Sequence, residues 1–265
     1  MKISVIVTTY NRPDALKKVV QGLLSQTKSP HEIIIADDGS SRETQHLINE
    51  LAAAALCPII HIRQEDRGFR AAMIRNLAIK KSTGEYIVSL DGDCIPEIHF
   101  IEDHLKLAKE GFFFQGKRVL VGKKFSKSFF FKHTQKKINL LLKSIRGEIS
   151  NIHHTVRMPF FPISETKKLS GIKSCNMGIF KKDLYAVNGF NQDFIGWGRE
   201  DSELAVRLYN LGLKRRGHPF MAICFHLWHS ENDRTRMGIN DKLLQEQIDS
   251  KITACKNGIS KYKEI

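Results

Sequence analysis

The sequence predicts an α/β protein with a mainly parallel central sheet that is flanked by helices. Over residues 2–90, short runs rich in β-branched residues alternate with segments of helical spacing. This alternation is typical of parallel strands whose connecting helices cover both faces of a sheet. A chain of 265 residues can also bury an ample core without disulfide support, so we expect one compact unit.

The first two elements are a strand and a helix. Lys2–Thr8 is predicted as a buried strand, and the helix that follows is predicted to begin at Pro13, because proline is favoured in the first helical turn. The apolar residues of this helix recur at helical spacing and are Ala15, Leu16, Val19, Val20, Leu23 and Leu24.

The strand and helix pattern then repeats. Glu32–Ala36 is predicted as the second strand, and Ser40 with Glu43 has the spacing of a capping box that opens a helix toward Ala55. The next predicted elements are a strand at Pro58–Ile62, a helix at Phe69–Lys81 and a strand at Tyr86–Leu90.

Beyond residue 110 the pattern is less regular. Residues 111–170 are basic and aromatic without a clear period, which predicts either a partner-binding excursion or a flexible loop. Helices are predicted at Lys181–Val187 and Arg199–Leu211. The predicted divisions of the chain are residues 1–110, residues 111–240 and a polar helical tail at residues 241–265.

Polar residues follow the predicted strands. Ligands of parallel sheets bind beyond the carboxyl ends of the strands, so these residues are the candidates for chemistry. They are Thr9-Tyr10-Asn11, Asp37-Asp38-Gly39-Ser40 and Asp91-Gly92-Asp93. No Gly-x-Gly-x-x-Gly or Walker-type loop follows the first strand, which disfavours a dinucleotide fold or a P-loop ATPase.

Asp91-Gly92-Asp93 is the most informative of these segments. Two carboxylates one residue apart at a strand exit suit a hard cation such as Mg²⁺ or Mn²⁺, which shares its other positions with phosphate oxygens. The alternative is a turn, because Asp and Gly are favoured in turns for backbone reasons.

A second candidate segment is Gly196-Trp197-Gly198, followed by Glu200 and Asp201 at a predicted helix start. An indole between two glycines offers an open face to the apolar side of a sugar ring. A carboxylate beside that face could accept a proton from a bound hydroxyl. The alternative is structural, because the helix dipole favours acids at this position.

Two histidines, His226 and His229, follow the apolar run Phe220–Phe225. An aspartate with one or two imidazoles suits Mn²⁺, whereas the lack of thiolates argues against a structural zinc site. His229 is the better candidate ligand, and the alternative for His226 is an ordinary core or surface histidine.

The net charge of +14 predicts an anionic partner. Nine cations and the single acid Glu148 lie within residues 123–157, interleaved with Phe and Leu. This mixture is typical of segments that lie at the interface of an anionic membrane. The alternative is a solvated basic helix that packs on one side.

These motifs together resemble those of family 2 type glycosyltransferases of the GT-A fold, the nucleotide-diphospho-sugar transferase fold. The C-terminal half is similar to the β-1,4-galactosyltransferase and chondroitin-polymerase group, and the resemblance covers about residues 2–232. The matching segments are Val5–Arg12, Asp37–Ser40, Ala72–Asn76, Asp91–Asp93, Asn188–Phe190 and Gly196–Asp201.

The resemblance implies that residues 1–110 bind a nucleotide sugar. Asp38, with Asp37 beside it, would meet uracil, Arg75 would lie near the diphosphate, and Asp91 would face the ribose or sugar side of the donor. The full set of implied nucleotide-sugar contacts is Thr8, Tyr10, Arg12, Asp37, Asp38, Arg75, Asp91 and Gly92.

The resemblance also implies that residues 111–240 bind the acceptor and carry the catalytic base. Trp197, Gly198 and Glu200 would hold the acceptor sugar, and Asp201 would be the base. Asp93 and His229 would bind the metal, while His226 falls where some relatives place a methionine ligand.

The chain also departs from the family pattern. Arg199 stands where the galactosyltransferase pattern often has a small residue, Ser202 interrupts the acidic run, and Cys175–Gly178 differs from the glycine-rich segment of relatives. The donor sugar therefore stays open among UDP-galactose, UDP-N-acetylgalactosamine and UDP-N-acetylglucosamine, with UDP-glucuronic acid as a further option.

The implied reaction is an inverting, Mn²⁺-dependent (or Mg²⁺-dependent) transfer from a UDP-sugar to a hydroxyl of a glycan or lipid-linked acceptor, in surface polysaccharide or lipooligosaccharide synthesis. One alternative is a non-catalytic protein that binds nucleic acid or another polyanion, but it leaves the ordered acids unexplained, so we expect no nucleic acid partner. Another is a nucleotidyltransferase, which would need a basic or glycine-rich triphosphate loop near the first strand, where only Arg12 is found.

We expect a cytoplasmic protein. Its five scattered cysteines fit a reducing compartment, and its start has too short an apolar stretch for a signal peptide. No segment approaches the roughly 20 apolar residues of a membrane span. Contact with the inner face of the plasma membrane would be peripheral, through residues 123–157.

Overall fold

The computed structural model describes residues 1–231 and 233–262. The strands are β1 (Ile3–Thr9), β2 (Glu32–Asp37), β3 (Ile59–Arg63), β4 (Tyr86–Asp91), β5 (Cys94–Pro96), β6 (Phe112–Gln115), β7 (Lys117–Val121), β8 (Ile149–Ser150), β9 (Ser164–Thr166), β10 (Asn176–Phe180), β11 (Lys214–Gly217) and β12 (Ile223–Leu227). The α-helices are α1 (Pro13–Leu24), α2 (Arg42–Ala54), α3 (Ala71–Lys81), α4 (Phe100–Leu107), α5 (Lys123–Ser126), α6 (Phe131–Thr134), α7 (Lys137–Ile145), α8 (Lys181–Ala186), α9 (Glu200–Asn210) and α10 (Met237–Ser250). Short 3₁₀ helices lie at Ile152–Thr155 and Ile259–Lys261.

The strands form a large sheet and a small one. The order in the large sheet is β3-β2-β1-β4-β10-β6-β11-β9, and the order in the small sheet is β5-β12-β7-β8. Strands β3, β2, β1 and β4 run parallel to one another, while β10 is antiparallel to both of its neighbours. The predicted α/β architecture with a mainly parallel first half is confirmed.

Helices cover both faces of the large sheet. On β1, Val5 and Val7 face one buried cluster, which includes residues of α1, α2 and α4. Ile6 faces the opposite cluster, which includes residues of α3, α8 and α9. This division explains why the first strands read as continuous apolar runs rather than as an alternating pattern.

The predicted capping box of Ser40 and Glu43 is wrong. Helix α2 begins at Arg42 with Ser41 as its N-cap residue, and no side-chain hydrogen bond caps it. The Ser40 hydroxyl instead accepts a hydrogen bond from the backbone N–H of Asn11 at 2.9 Å. Ser40 therefore joins the loop after β2 to the loop after β1, beside the carboxyl edge of the sheet.

Residues 111–170 do not form a flexible loop. They contribute β6 and β9 to the large sheet and β7 and β8 to the small sheet. Phe125 and Phe129 are buried in the core, and their rings meet edge to face at 5.2 Å between centroids. Part of the aromatic content of this segment therefore belongs to the core.

The predicted helical tail of residues 241–265 is too long. Helix α10 begins earlier, at Met237, and ends at Ser250. The next segment folds back on the turn after α8, where the Asn188 side-chain amide donates to the carbonyl of Cys255 at 2.7 Å. Residues 263–265 lie outside the described part of the chain, and the division into halves stays a prediction.

Candidate active site

The carboxyl ends of β1, β2 and β4 meet at one edge of the large sheet. Thr8 pairs with Asp91, and Thr9 pairs with Asp37. The N–H of Gly92 donates to the carbonyl of Thr8 at 2.7 Å, and a Cβ atom at Gly92 would lie only 2.9 Å from that oxygen. A side chain there would force the loop away from β1, so Gly92 fixes the carboxylates on either side of it.

A cavity of about 570 Å³ opens at this edge. All the predicted site residues line it except Asp37 and His226; they are Thr8, Tyr10, Arg12, Asp38, Arg75, Asp91, Gly92, Asp93, Trp197, Gly198, Glu200, Asp201 and His229. The Asp91-Gly92-Asp93 segment and the Trp197–Asp201 segment, which lie about a hundred residues apart in the sequence, therefore line one cavity.

A candidate metal centre lies at one end of the cavity. The side-chain ligand atoms of Asp93, His226 and His229 all lie within 4.8 Å of one another. The Nε2 atoms of the two histidines are 3.7 Å (His226) and 3.6 Å (His229) from the carboxylate oxygens of Asp93. One carboxylate and two imidazoles form a donor set that fits Mn²⁺.

Strand pairing explains why His226 reaches Asp93. Strand β12 runs antiparallel to β5, and His226 pairs with Cys94, the residue after Asp93. Burial, and then the positive charge of Arg118, lower the pKa of His226 to about 3. His226 is therefore a neutral imidazole near pH 7, which is the form that binds a metal.

The Asp93 carboxylate already contacts one cation of the chain. Nη1 of Arg12 lies 2.5 Å from Oδ2 of Asp93, and Nη2 of Arg12 donates to the carbonyl of Trp228 at 3.4 Å. The Arg12 guanidinium would therefore compete with a metal ion for Asp93.

Arg75 connects the ends of β1 and β4 to the start of α9. Its guanidinium donates to Asp91 at 3.3 Å, to Glu200 at 3.1 Å and to the Thr8 hydroxyl at 3.2 Å. Its side chain is only 5% exposed, so these partners compensate a buried charge. Arg75 therefore positions the start of α9 against the exits of β1 and β4.

Asp201 is the candidate base. Its carboxylate accepts hydrogen bonds from the backbone N–H groups of Ser202 at 2.7 Å and Ser174 at 3.3 Å. Burial and the negative charge of Glu200 raise the pKa of Asp201 to about 7, against the lowering effects of Arg75 and the two N–H groups. A carboxylate with a pKa in this range is suited to accept a proton near neutral pH.

The loop before α9 has an unusual backbone. Gly198 has a φ of +106°, and a Cβ atom there would lie 3.0 Å from Cε of Met237. Arg199 has a φ of +78°, a left-handed conformation that glycine adopts more readily. This conformation gives a physical reason why the galactosyltransferase pattern often has a small residue at the position of Arg199. The Arg199 side chain forms an ion pair with Asp241 at 2.6 Å, which attaches the loop to α10.

The indole of Trp197 is half-buried and lines the cavity. The Arg234 guanidinium lies over its ring, 5.2 Å from the centroid. This is the geometry of a cation–π contact. One face of the indole is thus covered by a side chain of the loop before α10.

Asp37 does not line the cavity, contrary to its predicted role. Its fully buried carboxylate accepts a hydrogen bond from the N–H of Ser40 at 2.8 Å and lies 3.0 Å from Nε2 of His61. These hydrogen bonds lower its pKa in spite of burial. Asp37 therefore holds the turn, while its neighbour Asp38 lines the cavity.

Sequence reasoning missed several residues that line the cavity, and three of them bear on its chemistry. Phe69 lies beside Tyr10 and Asp38 and continues the cavity toward Trp197. Arg118 and Lys173 add positive charge to the wall of the cavity. The signal for Phe69 was an aromatic directly after Gly68, at the end of the loop before α3. No local pattern marks Arg118 or Lys173.

Family comparison gives two overlapping matches. The model of glycosyl transferase family 2 matches residues 4–176, and the model described as the N-terminal domain of galactosyltransferase matches residues 154–230. The second match includes Trp197, Asp201 and both histidines, whereas the first includes the three strand exits.

The chain is similar to longer curated proteins. It is 25% identical to a chondroitin synthase of Escherichia coli over 93% of this chain and 38% of that protein. It is 27% identical to a hyaluronan synthase of Pasteurella multocida over 79% of this chain and 23% of that protein. It therefore spans well under half the length of these relatives.

Solved structures share the fold. The mannosyltransferase PcManGT from Pyrobaculum calidifontis, in complex with GDP-Man and Mn²⁺, matches 94% of this chain and 63% of that chain, with a TM-score of 0.60 and 18% identity. TarS 1-349 of S. aureus in complex with UDP matches 95% of this chain and 65% of that chain, with a TM-score of 0.64 and 15% identity. The predicted GT-A fold is confirmed.

Proposed function

This chain belongs to glycosyl transferase family 2 and is a glycosyltransferase, and we propose that it transfers a sugar from a UDP-sugar to a hydroxyl of a glycan or lipid-linked acceptor with inversion. One observation carries the proposal: Asp201, Asp93 and His229 line the same cavity, and His226 completes the candidate metal cluster with Asp93 and His229. Membership in a family of glycosyltransferases sets aside the alternatives of non-catalytic nucleic-acid binding and nucleotidyl transfer.

The donor is proposed to bind along the strand exits. Tyr10 and Phe69 offer aromatic surface for a base beside Asp38, whose carboxylate already accepts hydrogen bonds from Gln64 and from the N–H of Arg70. The donor candidates are UDP-galactose, UDP-N-acetylgalactosamine and UDP-N-acetylglucosamine, with UDP-glucuronic acid as a further option. Among fold neighbours, TarS was solved with UDP and PcManGT with GDP-Man, so GDP-mannose belongs in any test.

The proposed reaction is a single displacement. Asp201 takes the proton of the acceptor hydroxyl, the hydroxyl oxygen bonds to the anomeric carbon, and the bond from that carbon to the diphosphate oxygen breaks, releasing UDP. Asp93, His226 and His229 would hold Mn²⁺ or Mg²⁺, which when bound offsets the charge that develops on the leaving diphosphate. Trp197, Gly198 and Glu200 would position the acceptor sugar.

A donor panel tests the proposal. The protein is incubated with each UDP-sugar and with GDP-mannose, with Mn²⁺ and a set of sugar acceptors, and release of nucleoside diphosphate is measured. We expect one UDP-sugar to give acceptor-dependent release that chelation of the metal abolishes. Release from GDP-mannose alone would refute uridine as the donor base, and no release from any donor would contradict the reaction.

We also propose peripheral contact with an anionic membrane through residues 123–157, as part of surface polysaccharide or lipooligosaccharide synthesis. None of the helices within residues 1–231 and 233–262 is long and apolar enough to cross a membrane. Support comes from α7, whose outward residues Ile138 and Ile145 are 78% and 75% exposed within a strongly basic segment. Such a helix is suited to lie in the plane of the headgroups.

A further inference from the structure

Residues 158–163, which we call the apolar turn, expose uncharged side chains to solvent. Their sequence is Met158-Pro159-Phe160-Phe161-Pro162-Ile163. The N–H of Phe161 donates to the carbonyl of Met158 at 3.1 Å, which closes a tight turn with Pro159 at its second position, where proline is favoured. Phe160 follows at the tip and is 100% exposed. The apolar turn therefore presents a whole aromatic side chain to its surroundings.

Contacts on both sides fix the apolar turn to the rest of the fold. Arg157, just before the turn, forms an ion pair with Asp103 of α4 at 2.7 Å. The buried imidazole of His218 donates from Nε2 to the carbonyl of Phe161 at 2.9 Å and accepts at Nδ1 from the N–H of Phe220 at 3.1 Å. The rings of Phe161 and Phe220 meet edge to face, 4.8 Å between centroids. The exposed tip thus belongs to an anchored turn.

The apolar turn begins beside α7. Helix α7 contacts the 3₁₀ helix Ile152–Thr155, which leads into the turn. Lys137, at the start of α7, lies 3.9 Å from Glu97, just before α4. Arg157 lies 3.9 Å from Glu102, in the first turn of α4. Because α7 and the apolar turn are both attached to the same end of α4, the turn lies close to the basic helix.

The composition of the apolar turn suits the boundary between lipid headgroups and acyl chains. Pro159 and Pro162 have no N–H, and the N–H of Phe161 is bonded within the turn, so few backbone donors would lose water on insertion. Residues 123–157, which precede the turn, carry nine cations against one acid and complement an anionic surface. A stable protein interface uses roughly 20–30 residues a side, whereas the turn has six. These features favour a lipid surface over a second protein.

We propose that the apolar turn inserts Phe160 into the boundary between headgroups and acyl chains of an anionic phospholipid bilayer. This inference rests on the proposed peripheral contact through residues 123–157 and adds a separate element to it. The cations near α7 attract the charged surface, whereas the uncharged turn supplies apolar contact once the surface is reached. The contribution of Phe160 is therefore insensitive to salt.

Quenching by brominated lipids tests whether the tip inserts. Phe160→Trp places an indole at the tip, and its fluorescence is measured with vesicles of phosphatidylglycerol that carry bromine on their acyl chains. We expect quenching well beyond that of the unchanged protein, in which Trp197 and Trp228 supply the background. Leu56→Trp is the control, because Leu56 is also fully exposed but lies in the loop between α2 and β3, and it should add no quenching.

Phe160→Ser tests what the tip contributes to binding. We expect it to bind phosphatidylglycerol vesicles roughly tenfold more weakly, with the same ratio at low and high salt, because the change removes apolar area and no charge. Leu56→Ser is the control and should leave the affinity unchanged. Thermal unfolding checks that each variant is folded, and sedimentation velocity without lipid measures self-association.

The outcomes separate insertion of the apolar turn from its alternatives and from glycosyl transfer. Absence of added quenching in Phe160→Trp, unchanged vesicle affinity in Phe160→Ser, or equal effects in the Leu56 variants overturns the insertion. Self-association that Phe160→Ser abolishes, with vesicle affinity unchanged, assigns the turn to a second copy of the chain instead. Quenching at the tip without release of nucleoside diphosphate from any donor supports insertion and refutes the proposed transfer, whereas release by a protein that binds no vesicles does the reverse.

Discussion

The chemistry proposed for this cavity depends first on the protonation state of Asp201. Its raised pKa means that the ionised carboxylate is less favoured in the folded protein than in the unfolded chain. This lowering of the free energy of unfolding is absent below the ordinary pKa of an aspartate, and it grows as pH rises toward 7. A group that is kept in a cavity at a cost to the stability of the fold is a candidate for function, which supports Asp201 as the proposed base.

We predict that Asp201→Asn folds normally but transfers sugar about 10² to 10⁴ times more slowly, because the amide cannot accept the hydroxyl proton. In the unchanged protein, kcat/KM should fall as pH drops below about 7, since Asp201 is then protonated. The variant should lose this pH dependence. Radiolabelled sugar transfer measured across pH checks both statements.

A matched control is Asp183→Asn. Asp183 also lies in the first turn of a helix with a pKa raised by burial, but outside the cavity. Full activity in Asp201→Asn, or an equal loss in Asp183→Asn, would refute the assignment of the base.

The contact of Arg12 with Asp93 leads to a second prediction. Because both Arg12 and a divalent cation need the same carboxylate, Arg12→Gln should bind Mn²⁺ about 2 to 10 times more tightly in the absence of UDP. Arg12→Lys keeps the charge and serves as the control with unchanged affinity. Calorimetry with Mn²⁺ alone measures both, and equal or weaker binding by Arg12→Gln would show that the ion pair does not compete.

Among the elements, α7 has the clearest unassigned surface. Leu140 faces the core at 1% exposure, whereas Ile138, Leu141, Leu142 and Ile145 face outward. These outward residues have the spacing of one helical face, and Lys132, Lys136, Lys137 and Arg146 lie on or beside α7. The apolar content of residues 123–157 is thus divided between the core and this face.

We predict that the protein sediments with vesicles containing phosphatidylglycerol and not with phosphatidylcholine alone. Ile138→Ser/Ile145→Ser should weaken this binding by about tenfold, because it removes the apolar part of the contact. Charge reversal of Lys132, Lys136 and Lys137 should weaken it as well. Leu56→Ser changes an even more exposed apolar residue outside the segment and is the control. Sedimentation that is unaffected by either set of changes would exclude α7 as the membrane-binding face.

At the scale of the whole molecule, the sequence predicted best what depends on local periodicity and strand direction. Asp91-Gly92-Asp93 could be placed at a sheet edge because parallel strands end together. By contrast, Phe125 and Phe129 were assigned to an interfacial segment, because short helices give no clear period. Arg118 and Lys173 could not be found at all, since they line the same cavity only through the packing of β7 and of the loop that Gln115 holds at Lys173.

The site also joins distant parts of the chain, which leads to the last prediction. The candidate ligand atoms lie on Asp93 after β4, on His226 in β12 and on His229 just beyond β12, so a bound cation and nucleotide would tie the large sheet to the small one. UDP with Mn²⁺ should therefore raise the unfolding temperature, because a ligand that binds only the folded state stabilises it by mass action, about 2.7 kcal/mol at a hundred times its Kd. Asp93→Ala should abolish the part of this shift that requires Mn²⁺, whereas Asp183→Asn should keep it. Thermal scans with UDP, with Mn²⁺ and with both separate the contributions, and an undiminished shift in Asp93→Ala would place the cation elsewhere.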